Sequence, residues 1–160
     1  MGGQSRATCS IDKDSLFFSG ELVEQNGGFV SCISPSIDKP IDLSRYSGLR
    51  LKLFGSGLHL KFALGCKKNR FTFSPYPLGN IKWVFSFPTL KSQTTDLFIP
   101  FHKFEAAIRA QPLEKSVQLN VNRISQFQLL YSKFGQPGQL NPDFVPGPFE
   151  ITVHSISAIS

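Results

Sequence analysis

The stretch "LRLKLFGSGLHLKFAL", Leu49 to Leu64, holds two runs in which every second residue is apolar. In the first, Leu49, Leu51 and Leu53 fall on one side and Arg50 and Lys52 on the other. In the second, Leu58, Leu60, Phe62 and Leu64 fall inside, with His59 and Lys61 outside. A period of two is the pattern of a half-buried strand, because successive side chains in a strand point to opposite faces. Gly55-Ser56-Gly57 between the runs reads as a hairpin turn, with either Gly55-Ser56 or Ser56-Gly57 as its two central residues. The first choice sets Lys52 opposite His59 and Arg50 opposite Lys61. The second sets Lys52 opposite Lys61. Either register opposes basic residues on the outer face, which is destabilising. Arg50, Lys52, His59 and Lys61 are therefore the candidate contact surface for an acidic partner.

The same period recurs outward from this stretch. "FEITVHSISAI", Phe149 to Ile159, alternates Phe149, Ile151 and Val153 with Glu150, Thr152 and His154, and "SQFQLLY", Ser125 to Tyr131, also reads as a strand. Turn signals separate the runs: Asn26-Gly27-Gly28, Gly135-Gln136-Pro137-Gly138 and Pro146-Gly147-Pro148. Pro142, Pro146 and Pro148 hold the final loop out of any sheet until Phe149. Many short strands at regular spacing predict an all-β antiparallel sandwich or barrel. Only "PFHKFEAAIRAQ", Pro100 to Gln111, reads as a short helix, with Phe101, Phe104 and Ile108 on one face.

A chain of 160 residues is long enough for one domain with a buried core. No apolar run reaches the ~18 residues of a membrane-spanning helix, and Met1-Gly2-Gly3 opens no secretory signal. Net charge is +6, unevenly placed: Leu43 to Thr95 holds nine basic residues and no acid. Such a block is a solvated face or a docking surface for an acidic partner. Cys9, Cys32 and Cys66 lack metal or redox spacing and read as reduced, partly buried thiols of a reducing compartment.

Catalytic patterns fail one by one. His59, His102 and His154 form no zinc-protease pair, and there is no nucleophile elbow, phosphate loop or dinucleotide fingerprint. Asp12-Lys13-Asp14 lacks the further oxygen donors of a calcium loop. The expectation is a protein without catalytic centre, cofactor or metal. Trp83, Tyr76, Tyr46 and Tyr131 are candidate stacking platforms for sugar or single-stranded nucleic acid, or else rings covering the core edge.

Several strings then gain meaning as an ordered set. They are Gly2-Gly3 with Ser5, Asn26-Gly27-Gly28-Phe29, Asp42-Leu43-Ser44 with Tyr46, Pro100-Phe101 with Phe104, Ser132-Lys133-Phe134, Asn141-Pro142, and Gly147-Pro148-Phe149-Glu150. Together they resemble the CIA30 family, the complex I intermediate-associated protein 30 domain, and the ending is most similar to its cyanobacterial and plastid branch. The resemblance implies a single domain over residues 1–160, a galactose-binding-like jelly roll with at most one or two short helices. It also implies residues before Met1 that would add an N-terminal strand. It implies a non-catalytic assembly factor or chaperone that binds subunits, or a co-assembly factor, during biogenesis of a membrane electron-transport complex, of the NADH dehydrogenase complex I type or photosynthetic. The implied place is the cyanobacterial cytoplasm, beside thylakoids, or the plastid, ahead of the mitochondrion. Two other readings use the same fold: a carbohydrate-binding or enzyme-accessory module, and an RNA-contacting factor of organellar expression.

Overall fold

The computed structural model describes residues 4–25, 28–67, 81–109, 111–113 and 117–160. Eleven strands are named among them: β1 (Arg6–Asp12), β2 (Ser15–Leu22), β3 (Phe29–Ile33), β4 (Gly48–Ser56), β5 (His59–Cys66), β6 (Lys82–Pro88), β7 (Lys91–Pro100), β8 (Glu105–Ile108), β9 (Gln111–Pro112), β10 (Ile124–Ser132) and β11 (Gly147–Ile159). They form two antiparallel sheets that pack face to face as a jelly-roll sandwich. One has the order β1-β2-β11-β4-β7 and the other β3-β10-β5-β6-β8-β9.

The alternation in β4 and β5 places residues as expected. Leu49, Leu51, Leu53, Leu60, Phe62 and Leu64 are buried in one core, with Phe18, Ile99, Tyr131, Phe149 and Ile151. The pairing differs from the expected hairpin. β4 lies between β11 and β7, while β5 lies between β10 and β6 in the other sheet. The chain crosses from sheet to sheet at Gly55-Ser56-Gly57, so the two leucine-rich faces meet across the core instead of lying side by side. Gly57 has φ +77°, a conformation that favours glycine, and a Cβ on Gly55 would lie 2.6 Å from the Thr89 side chain. Thr89 ties the crossing down: its Oγ1 donates to the Leu58 carbonyl and accepts from the Leu58 N–H, both at 2.9 Å. Leu58, expected inside, is only half-buried there.

Three further expectations are corrected. The predicted helix is a 3-10 turn at Phe101–Lys103 followed by β8, which pairs with β6. Phe104, Ala106 and Ile108 satisfy a strand's alternation as well as a helical face, and the sheet edge captures them. β11 begins at Gly147, two residues earlier than expected, and Pro148 stands opposite Glu21 of β2. Its missing N–H is tolerated because β4 pairs with β11 only from Thr152 onward. Finally, Cys9 of β1 and Cys32 of β3 pair as a disulfide, with Cα atoms 5.9 Å apart, and only Cys66 is free. The thiols therefore no longer argue for a reducing compartment. Sequence spacing missed the pair because the two cysteines come from different sheets.

No helix among the described residues is long and apolar enough to cross a membrane. Trp83 and Tyr131 belong to the core, Tyr46 is 40% exposed, and Tyr76 lies outside the described residues.

Candidate functional site

The structure separates the four candidate cations. Arg50 and Lys52 lie on the outer face of the five-stranded sheet, where their neighbour is β7 and not another basic strand. Arg50 grips Asp96 with both ends of its guanidinium, Nε to Oδ1 at 2.6 Å and Nη2 to Oδ2 at 2.7 Å. Lys52 Nζ stands 3.6 Å from the same carboxylate. The Arg50 hydrogen bonds hold the Asp96 carboxyl below its ordinary range. The acid-free stretch ends one residue before Asp96, so the expected repulsion is answered by the first acid beyond it.

His59 and Lys61 lie instead on the outer face of the six-stranded sheet. His59 Nδ1 faces Asp143 at 3.3 Å. Lys61, expected in solvent, is only 7% exposed, because it sits on a central strand between Leu130 of β10 and Ser86 of β6. Burial lowers its amine to about 8. The loop after β10 is anchored beside it. Asn141 Nδ2 donates to the carbonyls of His59, at 3.0 Å, and Ser132, at 2.9 Å. The Ser86 N–H donates to Gln136 Oε1 at 3.0 Å.

The described motif residues build scaffold. Ser5 Oγ exchanges hydrogen bonds with the backbone of Val23 and pins the chain before β1 to the end of β2. Gly28, at φ +77°, offers its carbonyl to the Lys133 N–H. Phe29 is 39% exposed at the edge of β3. Pro100 and Phe101 make the 3-10 turn, while Pro142 is exposed between Asn141 and Asp143. Gly147 and Pro148 open β11, and Phe149 packs on Phe18 and Tyr131 with ring centroids 4.9 and 5.7 Å away. Gly2, Gly3, Asn26 and Gly27 lie outside the described residues.

Sequence reading missed an apolar concavity. An apolar pocket of about 340 Å³ opens between the sheets. Ile11, Leu16, Leu51 and Val153 line it from one sheet, and Cys32, Ile33, Phe62 and Leu129 from the other, with Cys9 at its wall. Its mouth carries three exposed isoleucines: Ile11 at 78%, Ile33 at 47% and Ile156 at 41%. β2 pairs with β11 only as far as Leu16 and Val153, and β11 bulges at the next residue. Past that point no described strand covers the flank of Ile156, so the sandwich gapes there. The signal was present as lone isoleucines in polar surroundings, but only the fold gathers them. Among the described residues no group of three or more His, Cys, Asp or Glu is placed to hold a metal.

Comparison with known proteins agrees with this architecture. The chain superposes on a family 11 carbohydrate-binding module from Clostridium thermocellum, with TM-score 0.68, 16% identity, and 99% of this chain and 85% of that one covered. It is also similar to part of an agarase, AgWH50C, with TM-score 0.60 and 6% identity over 96% of this chain and 22% of that one. Identities this low show the shared fold alone. No curated protein matches the chain. The family model for complex I intermediate-associated protein 30 matches residues 1–153, nearly the whole sandwich, and the chain belongs to the CIA30 family.

Proposed function

We propose that this protein is a non-catalytic assembly factor that holds a protein subunit, or a second assembly factor, during the building of a membrane electron-transport complex. The family match supports the assembly role. The observation that carries the binding mode is the apolar pocket with its rim of exposed isoleucines. A gap of this kind costs solvation free energy when empty and is relieved when apolar side chains fill it. The hairpin tip at Asp12-Lys13-Asp14 lies beside Ile11, so the apolar mouth has a charged rim that fits a protein surface. The test is capture of the tagged full-length protein from its source cells under native conditions. Subunits or known assembly intermediates of a membrane electron-transport complex should come down in stoichiometric amounts.

A carbohydrate-binding module is the second reading, favoured by the fold shared with the family 11 module. Sugar rings dock on exposed aromatic planes. On the outer face of the six-stranded sheet the described aromatic rings are His59, which is turned to Asp143, and Phe29 at the edge strand β3; the central positions Lys61, Ala63, Gly65, Lys82, Val84, Ser86, Gln126, Gln128 and Leu130 carry none. Protein binding therefore stands first.

A further inference from the structure

Among the described residues Lys61 is a cation left without a counter-charge. It is 93% enclosed by its surroundings, being 7% exposed. Neither β5, nor β10 and β6 on either side of it, contains an Asp or Glu. Asp143, in the adjoining loop, is turned to His59. Among the described residues the Lys61 side chain has no hydrogen bond or ion pair. Trp83 Nε1 is the one fully enclosed side-chain nitrogen or oxygen there without a partner. The Lys61 ammonium, equally unpartnered, therefore still touches solvent, with its stem covered and its head at a narrow opening.

An unpaired charge in such a place is expensive, and two neighbours make it useful. Gln136 spends its Oε1 on the Ser86 N–H, which leaves its Nε2 hydrogens to donate. Gln128 stands on the next strand, opposite Ala63 and diagonal to Lys61. One ammonium and carboxamide donors match a single negative charge. A phosphate would ask for more. The other lysine of this face, Lys82, is engaged with Gln126 and lies four residues along β6 from Ser86.

We infer that Lys61 is the floor of a carboxylate-binding site, with Gln136 as its second donor, and that the occupant is a Glu or Asp side chain of the client protein. The source of the carboxylate rests on the protein-binding reading above; the site itself does not. A long, thin side chain fits an opening that exposes so little of Lys61, and a bulky sugar ring does not.

The test uses the full chain and a fluorescein-labelled hexaglutamate peptide, read by anisotropy at low salt. Lys61→Met should lower affinity roughly tenfold or more, while the double variant Arg50→Glu, Lys52→Glu on the opposite face should bind as the parent does. Lys61→Met should still melt cooperatively, since it removes a buried charge. Equal binding by Lys61→Met, loss with the Arg50/Lys52 variant, or no binding of either the peptide or a polygalacturonate oligomer to the parent overturns the inference. Lys61-dependent binding of a polygalacturonate oligomer without binding of the peptide overturns the protein source while keeping the carboxylate site. Failure here leaves the pocket and its client untouched, so the two readings fall separately.

Discussion

Asn141 holds two carbonyls of different strands with one amide nitrogen and caps its own loop with Oδ1, which accepts from the Asp143 N–H at 3.1 Å. Asn141→Ala would leave the enclosed carbonyls of His59 and Ser132 without that donor. The expected cost is about 2–3 kcal/mol, read from urea denaturation, because buried unpaired polar groups forfeit their hydration. Lys61 is the opposite case, a residue whose environment opposes its charge. Its amine is lowered to about 8 when folded, against about 10.4 when unfolded. The unfolded chain thus holds more protons between these values, and stability gains as pH rises through that window. Below about pH 8 the burden is fully present, of order 3 kcal/mol at most. Lys61→Met should raise the melting midpoint at pH 7, and the gap to the parent should narrow by pH 10. A gap independent of pH would show that the residue's charge is not what costs stability. Neither role was legible in the sequence. Asn141 was one letter of a motif, and Lys61 carried the same alternation as Arg50 and Lys52. The difference comes from the neighbouring strands: an edge partner with Asp96 on one side, a covered central strand on the other.

Strands show what sequence can and cannot carry. Period two named β4, β5, β10 and β11, and the inward side of β4, β5 and β11, since alternation is a local property. Pairing is not local. The Gly55-Ser56-Gly57 crossing and the Cys9–Cys32 bridge depend on which sheet each strand joins, and no spacing encodes that. The 3-10 turn at Phe101–Lys103 was misread because four to eight residues cannot separate the two periods. β11 illustrates the consequence of position. It sits between β2 and β4, supplies Phe149, Ile151 and Val153 to the core, and receives ladder bonds on both sides. Removing Phe149 to Ser160 would unpair both neighbours and open the sheet at its centre. The truncated chain should lack a cooperative melt by circular dichroism. A truncation that melts cooperatively would mean that β2 and β4 close without it.

At the scale of the molecule, family membership and fold agree, and the proposed function rests on surface chemistry. The sandwich has two unlike outer faces and one open seam. On the five-stranded face Arg50 and Lys52 share the Asp96 carboxylate, which makes that face the less eager partner for an acidic group. The six-stranded face keeps an unanswered lysine, and the seam keeps an unfilled apolar pocket. The central claim is that this seam holds a protein client. Its most direct test is parallel native capture with the tagged parent and with the double variant Ile11→Asp, Ile33→Asp, quantified by mass spectrometry. Both positions are exposed enough for the variant to fold, which its melting curve will verify. The account predicts that subunits of a membrane electron-transport complex, enriched with the parent, are lost with the folded variant. Undiminished capture of those subunits by the variant would contradict it.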